Sequence, residues 1–183
     1  MPQSIYERDG RVYQPTEWAG SPWSKSHQHG GPVNALFASA AEAAAEQTGL
    51  RVVRLTVDLF RPVPLVGLAL DWRFVRKGRR IANIDAELSH PEGDLISRAS
   101  ALLLRASKDQ PRSWDQTPPP TLQLDRAEPV EFMPRAFRDS VPAGFHWSFD
   151  VRMGSDEHGP AAWITTPLDL LPGQPMTPLQ RCA

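Results

Sequence analysis

Apolar and polar residues change their spacing several times along the chain, and each change marks an element. Between residues 33 and 44 the apolar positions are Val33, Leu36, Phe37, Ala40, Ala41 and Ala44, one face of a 3.6-residue period, with Glu42 and Glu46 opposite. The spacing predicts an amphipathic helix from Pro32 to Gln47. Proline's fixed φ and missing N–H suit a first helical residue, and Gly49 stands where a helix stop is expected. Beyond Phe37 the apolar face is mostly alanine, which lets another backbone, most simply a sheet, approach closely.

After Gly49 the period falls to two. Val52–Pro64 puts Val53, Leu55, Val57 and Leu59 on one face and Arg54, Thr56, Asp58 and Phe60 on the other. Leu68, Leu70, Trp72 and Phe74 alternate in the next run, and Ala82, Ile84, Ala86 and Leu88 in the one after. Leu95–Arg105 is apolar. Lys77-Gly78 and Pro91-Glu92-Gly93-Asp94 are short enough for antiparallel hairpins. Upstream, Asp9-Gly10 between Ile5/Tyr6 and Val12/Tyr13 predicts one further hairpin. No helical pattern separates the strands, so residues 1–107 read as an α+β unit in which an antiparallel sheet curls round one long helix.

Residues 108–135 change character, with Pro111, Pro118, Pro119, Pro120, Pro129 and Pro134 among polar residues, and read as an extended linker. Beyond it, Phe145–Met153 and Ala161–Pro167 have strand character around the turn-rich Gly154–Pro160. The loop Leu171–Pro175 then leads to Thr177-Pro178-Leu179-Gln180, a helix entry with Thr177 as N-cap. The order strand, glycine turn, strand, loop, Pro-entered helix thus occurs twice. Residues 136–183 are expected to begin a second copy of the unit that is cut off as its helix starts, leaving apolar surface uncovered and favouring self-association.

Composition narrows the function classes. With 20 basic and 21 acidic residues the formal net charge is −1, which gives no field to attract nucleic acid or an anionic membrane. Cys182 is the only cysteine, so an internal disulfide and a multi-cysteine metal site are excluded. No run approaches the roughly 20 apolar residues of a membrane span, nor does the N-terminus resemble a signal peptide. A cytoplasmic location is the expectation. His27 and His29 form a His-x-His pair, but with no nearby carboxylate or cysteine the ligand count is too low for zinc, and no metal is expected.

Trp23 followed by His29-Gly30-Gly31 at a helix start, then Arg54-Leu55-Thr56-Val57-Asp58-Leu59-Phe60-Arg61-Pro62, then Val75-Arg76-Lys77-Gly78-Arg79-Arg80, resembles the thioesterase-like, double-hotdog superfamily related to acyl-CoA thioesterase II. The resemblance implies a hotdog fold, two such domains in tandem and hydrolysis of acyl-CoA thioesters. It also implies catalytic Asp, Thr and Gln residues in the second hotdog, at positions beyond Ala183. The rival readings are a non-catalytic acyl-CoA or lipid-binding hotdog module and a hotdog enoyl-CoA hydratase using histidine. Coenzyme A enters as part of the substrate, with no separate cofactor; the expected partner is a small-molecule acyl-CoA, and homo-oligomers through hotdog packing are expected.

Thioester hydrolysis needs donors for the carbonyl oxygen and a group that positions water. Gly30, Gly31 and the amides of Val33 and Asn34 are the candidate oxyanion or substrate contacts, because amides at a helix N-terminus point at an anion and the dipole favours it. His29 and Asp58 are candidate tunnel-lining residues. Arg76, Lys77, Arg79 and Arg80, four cations on one hairpin, are candidate contacts for the coenzyme A phosphates. Glu42 sits opposite the apolar stripe and reads as a solvated acid, although a mid-helix acid is the base in some single-hotdog thioesterases. The tryptophans read as core and interface residues.

Overall fold

A computed structural model describes residues 3–106 and 121–183. Among these, one long helix, α1 (Gly30–Thr48), lies against a six-stranded antiparallel sheet. The sheet contains β1 (Tyr6–Asp9), β2 (Val12–Pro15), β3 (Arg51–Leu59), β4 (Leu68–Lys77), β5 (Ile81–Ser89) and β6 (Leu95–Leu104) in the order β1-β2-β4-β5-β6-β3. This is the α+β architecture that the change of period predicts.

Val33, Leu36, Phe37, Ala40, Ala41 and Ala44 are all buried. The first four pack with Leu68, Leu70, Leu88 and Ile96; the last two pack with Ala82, Ile84, Ala101 and Leu103, so the stripe rides along the sheet from one end to the other. Helix α1 starts two residues before Pro32. Gly30 and Gly31 lie inside its first turn, and Pro32, as the third helical residue, still occupies a position whose N–H would have no partner in the helix. Gly49 ends the helix at φ +66, in the left-handed region, and its N–H reaches the Ala45 carbonyl.

The strands show where alternation holds and where it slips. In β5, Ala82, Ile84, Ala86 and Leu88 are buried as the pattern requires. In β3 a register shift between Val52 and Arg54 turns Val53 outward, leaving Val52, Leu55 and Val57 as the inner residues and Val53 half exposed. A second shift falls between Phe74 and Arg76, at the exposed Val75. In the first hairpin Asp9 pairs with Val12, so the two-residue turn is Gly10-Arg11 rather than Asp9-Gly10, with Gly10 at φ +60.

Most of the expected linker, 108–120, lies outside the described residues. In the remainder, Glu128–Val130 forms β7, which pairs with β8 (Asp150–Asp156), which in turn pairs with β9 (Gly159–Thr165) in a three-stranded sheet. Asp156 ties this sheet to the chain at Thr121, accepting from the amides of Thr121 and Leu122. Residues 135–138 form a short helix, α2 (Arg135–Arg138). Phe145–Ser148, expected as strand, is a 3-10 turn, because Gly144 and the Ser148 hydroxyl, bonded to the Phe145 carbonyl, tighten the chain there. The Leu171–Pro175 loop is itself a hairpin of β10 (Asp169–Leu171) and β11 (Gln174–Pro175), turned by Gly173 at φ +71. β10 also meets the chain's first residues, with the Ile5 N–H donating to the Asp169 carbonyl.

After β11 comes α3 (Pro178–Cys182), which packs against α1. Its start lies beside Glu42 and its end beside Asn34, so the two helices run antiparallel. The polar flank of α1 is thereby covered: Ala35 and Ala38, outside the predicted stripe, are buried too.

Candidate functional site

The N-terminus of α1 offers up to four backbone donors without helical partners. The structure accounts for three of these positions. The His29 N–H donates to the Ala19 carbonyl at 2.8 Å, the Gly31 N–H donates to Nδ1 of His29 at 3.1 Å, and Pro32 has no N–H. The amide of Gly30 is the one left to face outward. Because the helix begins at Gly30, the amides of Val33 and Asn34 fall within its i to i−4 ladder, and neither is a free donor. Val33 is instead a fully buried core side chain.

His29 is the N-cap, a role that its residue type does not advertise. Accepting through Nδ1 fixes the neutral tautomer with its proton on Nε2. The ring is held on three sides: Trp23 stacks on it with centroids 5.5 Å apart, Phe145 lies at 5.4 Å and His146 at 6.3 Å. Burial, followed by repulsion from His146, lowers the His29 pKa; burial leads in lowering that of His146 as well. Both imidazoles are therefore neutral near pH 7. Trp23, one of the tryptophans expected in the core or at an interface, is 76 % exposed and serves as the outer cover of His29.

These shifts set the sign of a pH dependence. A histidine whose folded pKa is depressed contributes stability that is present above its ordinary value of 6.5 and is lost as the pH falls toward the folded value. Protonation at Nδ1 also removes the acceptor for Gly31. Thermal melts should therefore show Tm falling between pH 7 and pH 5. In His29→Asn, which keeps a cap acceptor and removes the titration, the slope should be shallower; an equal slope in both proteins would remove His29 as its source. His29→Ala should cost about 1 kcal/mol, the ordinary worth of an N-cap.

Next to this helix end lies a cavity of about 330 Å³. His29 and Gly31 form its polar end, Phe145, Phe149, Ile164 and Met176 its apolar wall, and Gln180, Arg181 and Ala183 close it from α3. Asn34 sits on the far side of α3, where its Nδ2 donates to the Ala183 carbonyl at 3.0 Å. The site thus draws on α1, the 3-10 turn at 145–148, β9 and α3, segments that spacing along the sequence does not connect.

Other expected members lie elsewhere. Asp58 is exposed and faces Arg98 on the neighbouring strand at 3.9 Å, because the alternation of β3 carries it to the outer face of the sheet. Arg76, Lys77, Arg79 and Arg80 form an exposed hairpin, with the Lys77 ammonium 4.7 Å from the centroid of Phe74. Lys77 pairs with Ala82, which packs against Ala41 and Ala44, so the hairpin lies toward the C-terminal end of α1, away from Gly30. His27 joins the loop through a backbone bridge to Pro64.

Glu42 departs furthest from its expected place. It is half buried, with Oε1 accepting from the Thr177 hydroxyl at 2.5 Å and Oε2 from Nε2 of Gln180 at 2.7 Å. The partners lie 135 and 138 residues away, beyond the reach of any local pattern.

A family model described as the acyl-CoA thioesterase N-terminal domain matches residues 19–106. Among solved structures, a thioesterase of Novosphingobium aromaticivorans aligns at a TM-score of 0.62 with 22 % identity, covering 89 % of this chain and 65 % of that one. A hot dog fold protein of unknown function from Alicyclobacillus acidocaldarius aligns at 0.61 with 18 % identity, covering 83 % and 55 %. A thioesterase II of Thermobifida fusca aligns at 0.57 with 18 % identity, covering 84 % and 53 %. The chain therefore spans between about half and two thirds of the length of these structures. No protein of curated function matches the sequence. Among the described residues no helix is long and apolar enough to cross a membrane.

Proposed function

We propose that this chain, whose residues 19–106 match the acyl-CoA thioesterase N-terminal domain and whose fold is that of the hotdog proteins, is a thioesterase-like hotdog protein that binds an acyl-CoA at the N-terminus of α1 for thioester hydrolysis. The observation that carries the reading is the apolar cavity set directly against His29 and Gly31. An acyl chain enters between Phe145, Phe149, Ile164 and Met176. The thioester carbonyl lies at the helix end, where the Gly30 N–H and the Nε2–H of His29 donate to it. Water attacks the carbonyl carbon, the C–S bond breaks, and the thiolate of coenzyme A leaves and is protonated.

Among the described residues no carboxylate lines the cavity, and that observation favours a second reading, an acyl-CoA-binding module without turnover. A hydratase is disfavoured by the cap: with Nδ1 committed to Gly31 and the proton on Nε2, neutral His29 donates rather than accepts. Association of copies through hotdog packing belongs to the same proposal.

Calorimetric titration with decanoyl-CoA tests the shared step. Saturable binding is expected, weakened at least tenfold in Met176→Arg, which puts a charge in the cavity wall, and free coenzyme A should bind at least tenfold more weakly than the thioester. Equal affinity for coenzyme A and decanoyl-CoA would overturn the reading. Release of free thiol then separates the enzyme from the module.

A further inference from the structure

Glu42, Thr177 and Gln180 close a ring of hydrogen bonds between the two helices. The Thr177 hydroxyl accepts from the Gln180 N–H at 3.2 Å and donates to Glu42; the Gln180 side chain accepts from the Thr177 N–H at 3.3 Å and donates to the other oxygen of Glu42. Each end of this capping box is thus polarised by one carboxylate. On its own a helix of five residues is far too short to persist. Its position here depends on what α1 provides, and α1 provides two fixed points, Glu42 at the start of α3 and Asn34 at its end.

The consequence reaches the cavity. Met176, Gln180, Arg181 and Ala183 line it, and they come from the segment that Glu42 holds. Glu42 itself lies two helical turns, about 10 Å, past Ala35, which lines the cavity. We propose that Glu42 is a positioning residue: it latches α3 antiparallel onto α1 and so builds one wall of the acyl cavity without touching the ligand. The latch stands on the geometry alone; its effect on acyl-CoA rests on the function proposed above.

The single cysteine supplies a probe, because Cys182 is exposed and sits on α3. A nitroxide attached there should be immobilised in the parent chain. Glu42→Ala should make it mobile and weaken decanoyl-CoA at least tenfold. Gln180→Ala, which leaves α1 unchanged, should do the same and guards against an unfolded Glu42→Ala protein. The double variant Glu42→Gln with Gln180→Glu exchanges donor and acceptor, and it should restore both the immobile spectrum and the affinity. An immobile nitroxide in both single variants would overturn the latch, as would failure of the exchanged pair to restore it. A mobile nitroxide in a protein whose parent binds no decanoyl-CoA supports the latch and overturns only the ligand assignment.

Discussion

Phe37→Ala will lower the free energy of unfolding by about 3–5 kcal/mol, the range for deleting a large aromatic ring from a core. The ring is fully buried on the inner face of α1, in the cluster that joins helix, sheet and the β10 hairpin. Its neighbours on the helix are Val33, Leu36, Ala40 and Ala41. The small residues among them can close little of the space it leaves, so the cavity term should add to the lost transfer energy. Phe60→Ala is the control: that ring is 52 % exposed, and its loss should cost no more than about 0.5 kcal/mol. Urea denaturation of the two variants measures both. A cost below about 1.5 kcal/mol for Phe37→Ala would mean that the helix is not the centre of the core.

That centrality is readable from spacing alone, since a stripe at 33, 36, 37, 40, 41 and 44 has one physical use when four runs of strand character follow it. Period is a local property, and the elements it governs came out with the right faces. The errors have local causes too. A bulge inserts one residue, so that Val52 rather than Val53 shares the inner face with Leu55 and Val57, and nothing in Val52-Val53-Arg54 announces it. Residue type does not reveal the cap, because histidine is not a favoured N-cap residue; it serves here because Trp23, Phe145 and His146 fix its ring.

The site was legible only at its α1 end. Gly30 and Gly31 drew attention by type, but the apolar wall comes from Phe145, Phe149, Ile164 and Met176, which in sequence look like ordinary strand and loop residues. Glu42 shows the limit most clearly. Opposite an apolar stripe an acid is expected to face water, and this one would do so if α3 were absent. Its role is created by a contact between helices far apart in the chain, and such contacts follow from topology rather than from pattern.

Gly144→Ala should be the most damaging change of a single methyl in the site. A Cβ at Gly144 would lie 2.1 Å from the Gly20 carbonyl oxygen and 2.9 Å from the Gly20 Cα, closer than atoms can pack, and both obstacles are backbone. The φ of Gly144 is extended, so the glycine is required for closeness and not for conformation. Here the 3-10 turn Glu17–Ala19 meets the turn Phe145–Ser148, with the Phe145 N–H donating to the same Gly20 carbonyl at 3.0 Å. A methyl group must push the two turns apart. That breaks this hydrogen bond and lifts Phe145 and His146 from the ring of His29, opening the cavity at its polar end. The expected cost is about 1–3 kcal/mol of stability, with decanoyl-CoA affinity lost in the same variant. At Gly30 the added Cβ meets nothing nearer than a Leu59 methyl at 3.8 Å, so Gly30→Ala should leave stability within about 1 kcal/mol of the parent. Two glycines of one site would then differ because one keeps two backbones in contact and the other only borders open space. If Gly144→Ala melts with the parent and binds decanoyl-CoA as tightly, the contact between these turns does not hold the cavity.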